Sequence, residues 1–344
     1  MQDGYGREID YLRISITDKC NLRCKYCMPT DIDSVPMSRI LSFEEIASVV
    51  REAACLGINR IKITGGEPLI RRNCCTLIKM LKQIDGISQV TITTNGLLLC
   101  EYIDELIDAG IDGINISIDT LDKERYKHLT GYDKLDLVLE GLDAVIKSGI
   151  ACKINAVSVD WPEFYKSDMA ERPMDYTCED ILTDANALIG FTKEIPVDVR
   201  FIEMMPIGSG RGFPGISHDV LIPAIMNRYK DMSVDRESHG NGPAVYYRLP
   251  GHKGGVGFIS ALHGEFCDNC NRIRLTTQGH LKSCLCFDSG INLRDIIRSS
   301  FSEEEKKSAL RSDIKRAILC KPKSHCFMEE EKISEKHPMN SIGG

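Results

Sequence analysis

The sequence has a single tryptophan among 344 residues, few aromatics and no long hydrophobic run. No apolar stretch reaches the roughly 18 residues that a bilayer-spanning helix needs, and the first residues carry no apolar core of a secretory signal. No membrane partner follows from such a chain, and a soluble, cytoplasmic protein is expected. A basic excess is also missing: the formal net charge is −7. That balance gives no general reason to expect nucleic-acid binding, although a locally basic pocket for a small anion stays compatible with it. Disorder is excluded by an apolar content of 42%, enough to fill a sizeable core. The length suits one large α/β domain plus a smaller module.

Cysteine, by contrast, is abundant. The 15 cysteines fall in two metal-like groups plus scattered singles, unlike a secreted disulfide framework. The singles Cys55, Cys100, Cys152, Cys178, Cys320 and Cys326 read as buried small hydrophobes or surface thiols. The first group is Cys20-x3-Cys24-x2-Cys27 on one short stretch. It lacks a fourth ligand. A tetrahedral structural zinc site needs four protein ligands, whereas a cubane iron–sulfur cluster held by three leaves one iron open to a substrate or cofactor.

Residues 9–230 alternate β-rich runs with helical patterns. Strands are predicted at Tyr11–Ile16, Arg60–Thr64, Gln89–Thr94, Gly113–Asp119, Lys153–Val159 and Asp198–Glu203. Ser42-Phe43-Glu44-Glu45 is a capping-box signature, followed by Ile46, Val49, Val50 and Ala53 at helical spacing and a stop at Gly57. Further helices are predicted near 72–85, 101–109 and 135–148. Such alternation implies parallel strands joined by right-handed crossovers. Six units suggest an incomplete (β/α) barrel, with a doubly wound open sheet as the alternative that periodicity cannot separate. The stretch 160–183, with Trp161 and two prolines, breaks the rhythm and reads as a longer surface connection. Beyond residue 232 glycine and proline become frequent and the second cysteine group appears. The last 40 residues are charged, with a helix near 302–319.

In a parallel barrel, the first cysteine group falls at the C-terminal end of strand one, where active sites sit. Strand two ends in Thr64-Gly65-Gly66-Glu67-Pro68. Paired glycines admit a ligand close to the backbone, and Glu67 offers an acceptor; an ordinary turn is the plainer alternative. Thr93-Thr94-Asn95-Gly96 and Ser117-Ile118-Asp119 end the next two strands with groups suited to ribose and amino-acid recognition. The second group is Cys267-x2-Cys270-x13-Cys284, with Cys286 two positions later. With Cys286 it makes a four-cysteine zinc set; without it, another three-cysteine cluster. Spacing leaves both open. Arg272 and Arg274 alternate with Ile273 and Leu275, so on a strand both guanidiniums point one way, a clamp suited to phosphate.

These motifs coincide with a family. Cys20-x3-Cys24-x2-Cys27 with Thr64-Gly65-Gly66-Glu67-Pro68 resembles the radical S-adenosylmethionine (SAM) enzymes. Phe266-Cys267-Asp268-Asn269-Cys270-Asn271-Arg272-Ile273-Arg274-Leu275, Gly279 to Leu285 and the closing Gly343-Gly344 resemble its GTP 3′,8-cyclase branch, which opens molybdenum-cofactor biosynthesis. The resemblance covers nearly the whole chain. It implies an incomplete (β/α)6 radical-SAM barrel over 1–231 and a C-terminal domain over 232–344 with a second cluster. Cys20, Cys24 and Cys27 would hold a [4Fe–4S] cluster whose open iron chelates SAM. Tyr26, Gly66, Glu67, Thr93, Ser117, Lys153 and Met205 would form the SAM pocket. Cys267, Cys270 and Cys284 would hold a second [4Fe–4S] cluster facing the guanine of GTP, with Cys286 left out.

The same resemblance gives the triphosphate to Arg13, Arg60, Lys62, Arg200, Arg272 and Arg274, and makes Arg272, Arg274, Gly343 and Gly344 catalytic-site residues. The implied product is (8S)-3′,8-cyclo-7,8-dihydroguanosine 5′-triphosphate, passed on to cyclic pyranopterin monophosphate synthase. An electron donor is required, and a homodimer is implied. The 160–183 connection departs from the family pattern, and Cys320 and Cys326 have no chemical account. Two rivals remain distinct. A peptide-modifying radical SAM maturase would leave the Arg-x-Arg clamp idle. A ferredoxin-like carrier or zinc-stabilised module would need complete four-ligand sites.

Overall fold

The computed structural model describes residues 1–28, 35–167, 178–237, 239–264 and 266–342, with only the backbone at 167 and 178–181. Its strands are β1 (Tyr11–Ser15), β2 (Arg60–Thr64), β3 (Gln89–Thr94), β4 (Gly113–Ser117), β5 (Cys152–Val157), β6 (Asp198–Ile202), β7 (Ser233–Asp235), β8 (Val245–Arg248), β9 (Val256–Ile259), β10 (Arg272–Leu275), β11 (His280–Lys282) and β12 (Gly290–Asn292). They make one sheet in the order β12-β11-β10-β1-β2-β3-β4-β5-β6-β9-β8-β7. The run from β10 to β9 is parallel throughout, and antiparallel pairs extend it at both edges.

The helices are α1 (Phe43–Cys55), α2 (Cys74–Lys82), α3 (Leu99–Asp108), α4 (Lys123–Thr130), α5 (Leu135–Ser148), α6 (Trp161–Ser167), α7 (Cys178–Glu194), α8 (His218–Arg228), α9 (Leu293–Ile297), α10 (Glu303–Leu319) and α11 (Met339–Ile342). The predicted capping box closes the start of α1, with Ser42 accepting from Glu45 N and the Glu45 carboxylate accepting from Ser42 N. Ile46, Val49, Val50 and Ala53 form its buried stripe against Leu12, Ile14 and Ile61. Burial of each such aliphatic side chain contributes roughly 1.5–3 kcal/mol relative to exposure.

Strand alternation decides between the two architectures. Leu12 and Ile14 of β1 join the helix-side core, while Tyr11 and Arg13 face a cavity on the other side. Lys62, Thr91, Asn115, Lys153, Arg200, Ile259 and Arg274 line that same cavity from seven further strands. A flat doubly wound sheet would spread these residues over a surface; here the sheet curls into an incomplete barrel.

The division predicted near residue 232 does not interrupt the sheet or the core. β9 pairs with β6 and β10 with β1, and Leu310, Ile314 and Ile318 of α10 share one apolar cluster with Leu12 and Ile46. One prediction is corrected. The 160–183 stretch is not a surface connection at its start: Trp161 (2% exposed) and Phe164 of α6 are buried in an aromatic cluster with Leu129 and Val159. Pro162 permits this because proline is tolerated in a helix's first turn. Residues 168–177 lie outside the described residues.

Candidate active site

The loop leaving β1 carries Cys20, Cys24 and Cys27 onto the C-terminal rim of the barrel. Leu22 N donates to Cys20 Sγ at 3.4 Å, and Cys27 N donates to Cys24 O at 2.9 Å. The glycine pair after β2 lies flat against this loop. A Cβ on Gly66 would stand 2.2 Å from Lys19 O, and one on Gly65 2.6 Å from Thr17 O. Only glycine lets the two loops meet. Glu67 is buried behind them. Its carboxylate accepts from Thr94 Oγ1 at 2.7 Å, Asn95 N at 2.7 Å and Leu69 N at 3.1 Å, yet burial outweighs these donors and pushes its pKa up to about 7. Tyr26 donates to Asp119 Oδ2 at 2.8 Å, and Asp119 Oδ1 accepts from Val157 N at 2.8 Å.

Deeper in the barrel the walls become cationic. Arg13, Lys62, Lys153, Arg200, Arg272 and Arg274 line one cavity of about 340 Å³. Burial and then the neighbouring Arg274 pull the Arg13 guanidinium down to about 9, and burial with Arg272 brings Arg274 to about 10. Burial, Arg200 and Arg13 hold the Lys62 ammonium well below the usual lysine range. Neutral amides sit between the charges. Asn155 Oδ1 accepts from Arg200 Nε at 2.9 Å and Nη2 at 2.6 Å. The Asn115 amide, with its oxygen toward the cations, accepts from Arg200 Nη2 at 3.1 Å and from Lys62 Nζ. Such crowding of like charge in a buried space suits a polyanion.

The second triad opens beside it. Cys267, Cys270 and Cys284 line an adjoining cavity that shares Met205, Ile259, Arg272, Arg274 and Leu285 with the first. Cys270 N donates to Cys267 O at 3.1 Å, and His325 N to Cys267 Sγ at 3.4 Å. Arg7 braces the loop by donating to Cys267 O at 2.9 Å. Cys286 turns away into the apolar cluster of Ile207, Leu285 and Phe327, with its sulfur 3.2 Å from Cys326 Sγ.

The sulfurs suit clusters better than single ions. Three thiolates on one zinc stand roughly 3.8 Å apart, given a Zn–S bond of about 2.3 Å. Among the described residues, Asp288, Glu335 and His337 form the one group of three His, Cys, Asp or Glu with ligand atoms within 4.8 Å of one another, and neither cysteine triad does. Burial, followed by neighbouring Cys20, pushes the Cys27 thiol up to about 12. These sulfurs therefore ionise when a cationic centre faces them. In the second triad, burial alone would raise Cys270, but Lys321 and Arg272 draw it below the ordinary thiol range.

Most predicted site residues converge. Tyr26, Gly66, Thr93, Ser117 and Met205 line the main cavity with the first triad, whereas Glu67 is buried behind the glycine pair and is not part of its wall. Lys153, expected beside SAM, stands among the cations: its ammonium meets Asp198 Oδ2 at 2.6 Å and depresses the pKa of Lys62. Arg60 is not in the cavity wall; it pairs with Asp10 at 2.8 Å. Gly343 and Gly344 lie outside the described residues. Sequence reasoning passed over Asn115, Asn155 and Lys321. Spacing by two from Ser117 and Lys153 marks the two asparagines as cavity-facing; Lys321 gives no local signal.

Comparison with known proteins adds the following. The Radical SAM superfamily pattern matches residues 14–160, and that of Molybdenum Cofactor Synthesis C matches residues 197–327. The GTP 3′,8-cyclase of Clostridium perfringens (strain 13 / Type A) is 42% identical over 345 residues, covering 100% of both chains. That of Moorella thermoacetica is 37% identical over 351 residues, again at 100% of both. Among solved structures, Streptococcus suis SuiB bound to S-adenosylmethionine superposes with a TM-score of 0.59 at 15% identity, over 96% of this chain and 76% of that one. At that identity the likeness concerns the fold.

Proposed function

This chain belongs to the radical SAM family and, within it, to the GTP 3′,8-cyclases: it converts GTP to (8S)-3′,8-cyclo-7,8-dihydroguanosine 5′-triphosphate at the start of molybdenum-cofactor biosynthesis, and we propose how its own residues divide that work. Cys20, Cys24 and Cys27 would hold the first [4Fe–4S] cluster, and Cys267, Cys270 and Cys284 the second. When bound, the first cluster with SAM supplies the one-electron chemistry that removes hydrogen from ribose C3′, and the second supplies an open iron for the guanine.

The protein's part is positioning and exclusion. The Gly65–Gly66 backbone and the Glu67 carboxylate receive the SAM amine, while Tyr26, Thr93, Ser117 and Met205 bound the rest of that pocket. Arg13, Lys62, Arg200, Arg272 and Arg274 grip the triphosphate, joined by Lys153 from β5. Lys62, Arg200 and Arg272 have no carboxylate at ion-pair distance among the described residues, so their charge is available to phosphate. Arg60, tied to Asp10, braces the strand ends instead. Met205, Ile202, Ile259 and Leu285 are apolar members of the cavity wall, and their assigned part is to keep water from the reacting ribose. Gly343 and Gly344, outside the described residues, are assigned to the catalytic site on the family resemblance alone. C3′ loses one hydrogen, a C3′–C8 bond forms, and one electron and one proton complete the dihydroguanine.

Two electrons are needed, one for the SAM chemistry and one for the dihydroguanine; they come from a separate low-potential donor, and the product leaves for cyclic pyranopterin monophosphate synthase. No described helix is long and apolar enough to cross a membrane, which is compatible with work in the cytoplasm, as a homodimer.

The observation that carries this assignment is the shared wall: Arg272 and Arg274 border both the cavity of the first triad and that of the second. Arg272→Ala and Arg274→Ala are expected to weaken GTP binding roughly 30- to 700-fold, from the loss of about 2–4 kcal/mol of charged hydrogen bonding. Iron should stay at about eight per chain, the content of two cubanes. Calorimetric titration with GTP on anaerobic enzyme measures this, and wild-type affinity in both variants would move the phosphates elsewhere.

A further inference from the structure

We propose that Lys321 is a positioning residue of the second cysteine triad, the fixed positive charge that holds its thiolates and eases electron entry at the cluster they bind. The inference rests on Cys267, Cys270 and Cys284 being the ligands.

Lys321 comes two residues after α10 and is 4% exposed. It lines the same small cavity as the three cysteines. Its ammonium donates to Arg272 O at 2.9 Å and to Ser283 O at 2.6 Å. Those carbonyls lie two residues after Cys270 and one before Cys284, so a single group ties together the start of β10 and the end of β11, the two segments next to the ligands. A lysine has three N–H donors; two are taken by these carbonyls, and the ammonium shares its cavity with the three ligand sulfurs.

Charge separates this lysine from a merely structural donor. Burying an ammonium without an anion costs several kcal/mol. Arg7, which braces the same loop, is balanced by Asp3 at 2.6 Å. No carboxylate is ion-paired with Lys321 among the described residues. The groups left to balance it are the three ligand sulfurs that share its cavity, which are anionic when a cluster is bound. A cation fixed beside an iron–sulfur centre favours the form carrying one more electron. The tail segment that follows α10 thereby reaches into the electronics of the second cluster as well as its geometry.

The test is an EPR-monitored redox titration of anaerobically reconstituted holoenzyme, with iron counted on each sample. Lys321→Met is expected to shift the second cluster's midpoint to lower potential and leave the first cluster's unchanged. Lys321→Arg, which keeps the charge, is expected to restore the wild-type midpoint. Unchanged midpoints in Lys321→Met overturn the proposal, as does a Lys321→Arg midpoint as low as that of Lys321→Met. Should Lys321→Met lose iron, retention of iron and midpoint by Lys321→Arg supports the charge role, and iron loss in both overturns it. Cys284→Ser separates the underlying assignment: loss of about half the iron supports the ligand set, whereas full retention removes that set and the proposal with it.

Discussion

Glu67 carries a carboxyl group into the interior one residue past the glycine pair, where three donors meet it and burial still pushes its pKa up to about 7. Its ordinary value is 4.5, so an unfolded chain gives up this proton first. Between the two values the folded protein holds more protons, and the group's contribution to stability is lost as pH rises toward 7. Ligand binding has the opposite sign. An amine of SAM donates to the ionised form, so SAM affinity should fall as pH drops below about 7, by up to about tenfold per unit from this group. Glu67→Gln should bind SAM more weakly and lack that component. Equilibrium binding of SAM to reconstituted enzyme across about pH 6–8 compares the slopes, and equal slopes in both proteins would mean that Glu67 does not receive the amine.

The loops that end the parallel strands deliver the chemistry, and each depends on a partner loop. The turn at Lys282–Phe287 separates two cysteines two residues apart: Cys284 opens on the arginine-lined cavity, while Cys286 is buried with Ile207 and Phe327. Cys286→Ser is expected to keep the full iron content, and loss of about half would mean that the ligand set includes it; colorimetric iron and sulfide analysis decides. This distinction was only half legible in the residue string, because spacing allows either sulfur and packing makes the choice. The six central strands were legible to within two residues, since β-branched alternation is bounded by turn residues at each. The pairing of β10 with β1 was not: four residues, Arg272 to Leu275, announce a strand but not a neighbour more than 250 positions away. Likewise Trp161-Pro162 reads as a break, because an aromatic cluster gathered from Leu129, Val159 and Phe213 leaves no local periodicity. Arg60 and Lys62 share strand parity and charge, yet Asp10 captures the first, a tertiary contact that no spacing reports.

At the scale of the whole molecule, the acidic balance of −7 hides a sign reversal between outside and inside. Surface acids face solvent, while Arg13, Lys62, Arg200, Arg272 and Arg274 face one another across the barrel. A protein built this way holds like charges together at the expense of its own stability, and a polyanion relieves the strain by binding the folded state alone. GTP at about a hundredfold over its Kd should add about 2.7 kcal/mol of stability, seen as a raised melting midpoint. Inorganic tripolyphosphate should reproduce part of the rise, and guanosine should give little. Lys62 is the most informative cation to remove, because burial, Arg200 and Arg13 all oppose its charge. Lys62→Met should therefore raise the midpoint of the ligand-free protein while shrinking the increment from GTP. The trade belongs to a site that spends stability on recognition. Anaerobic scanning calorimetry with and without each ligand reads both quantities. A Lys62→Met midpoint below that of the wild type, with the GTP increment intact, would refute the polyanion account of this cavity and leave its six cations without a common purpose.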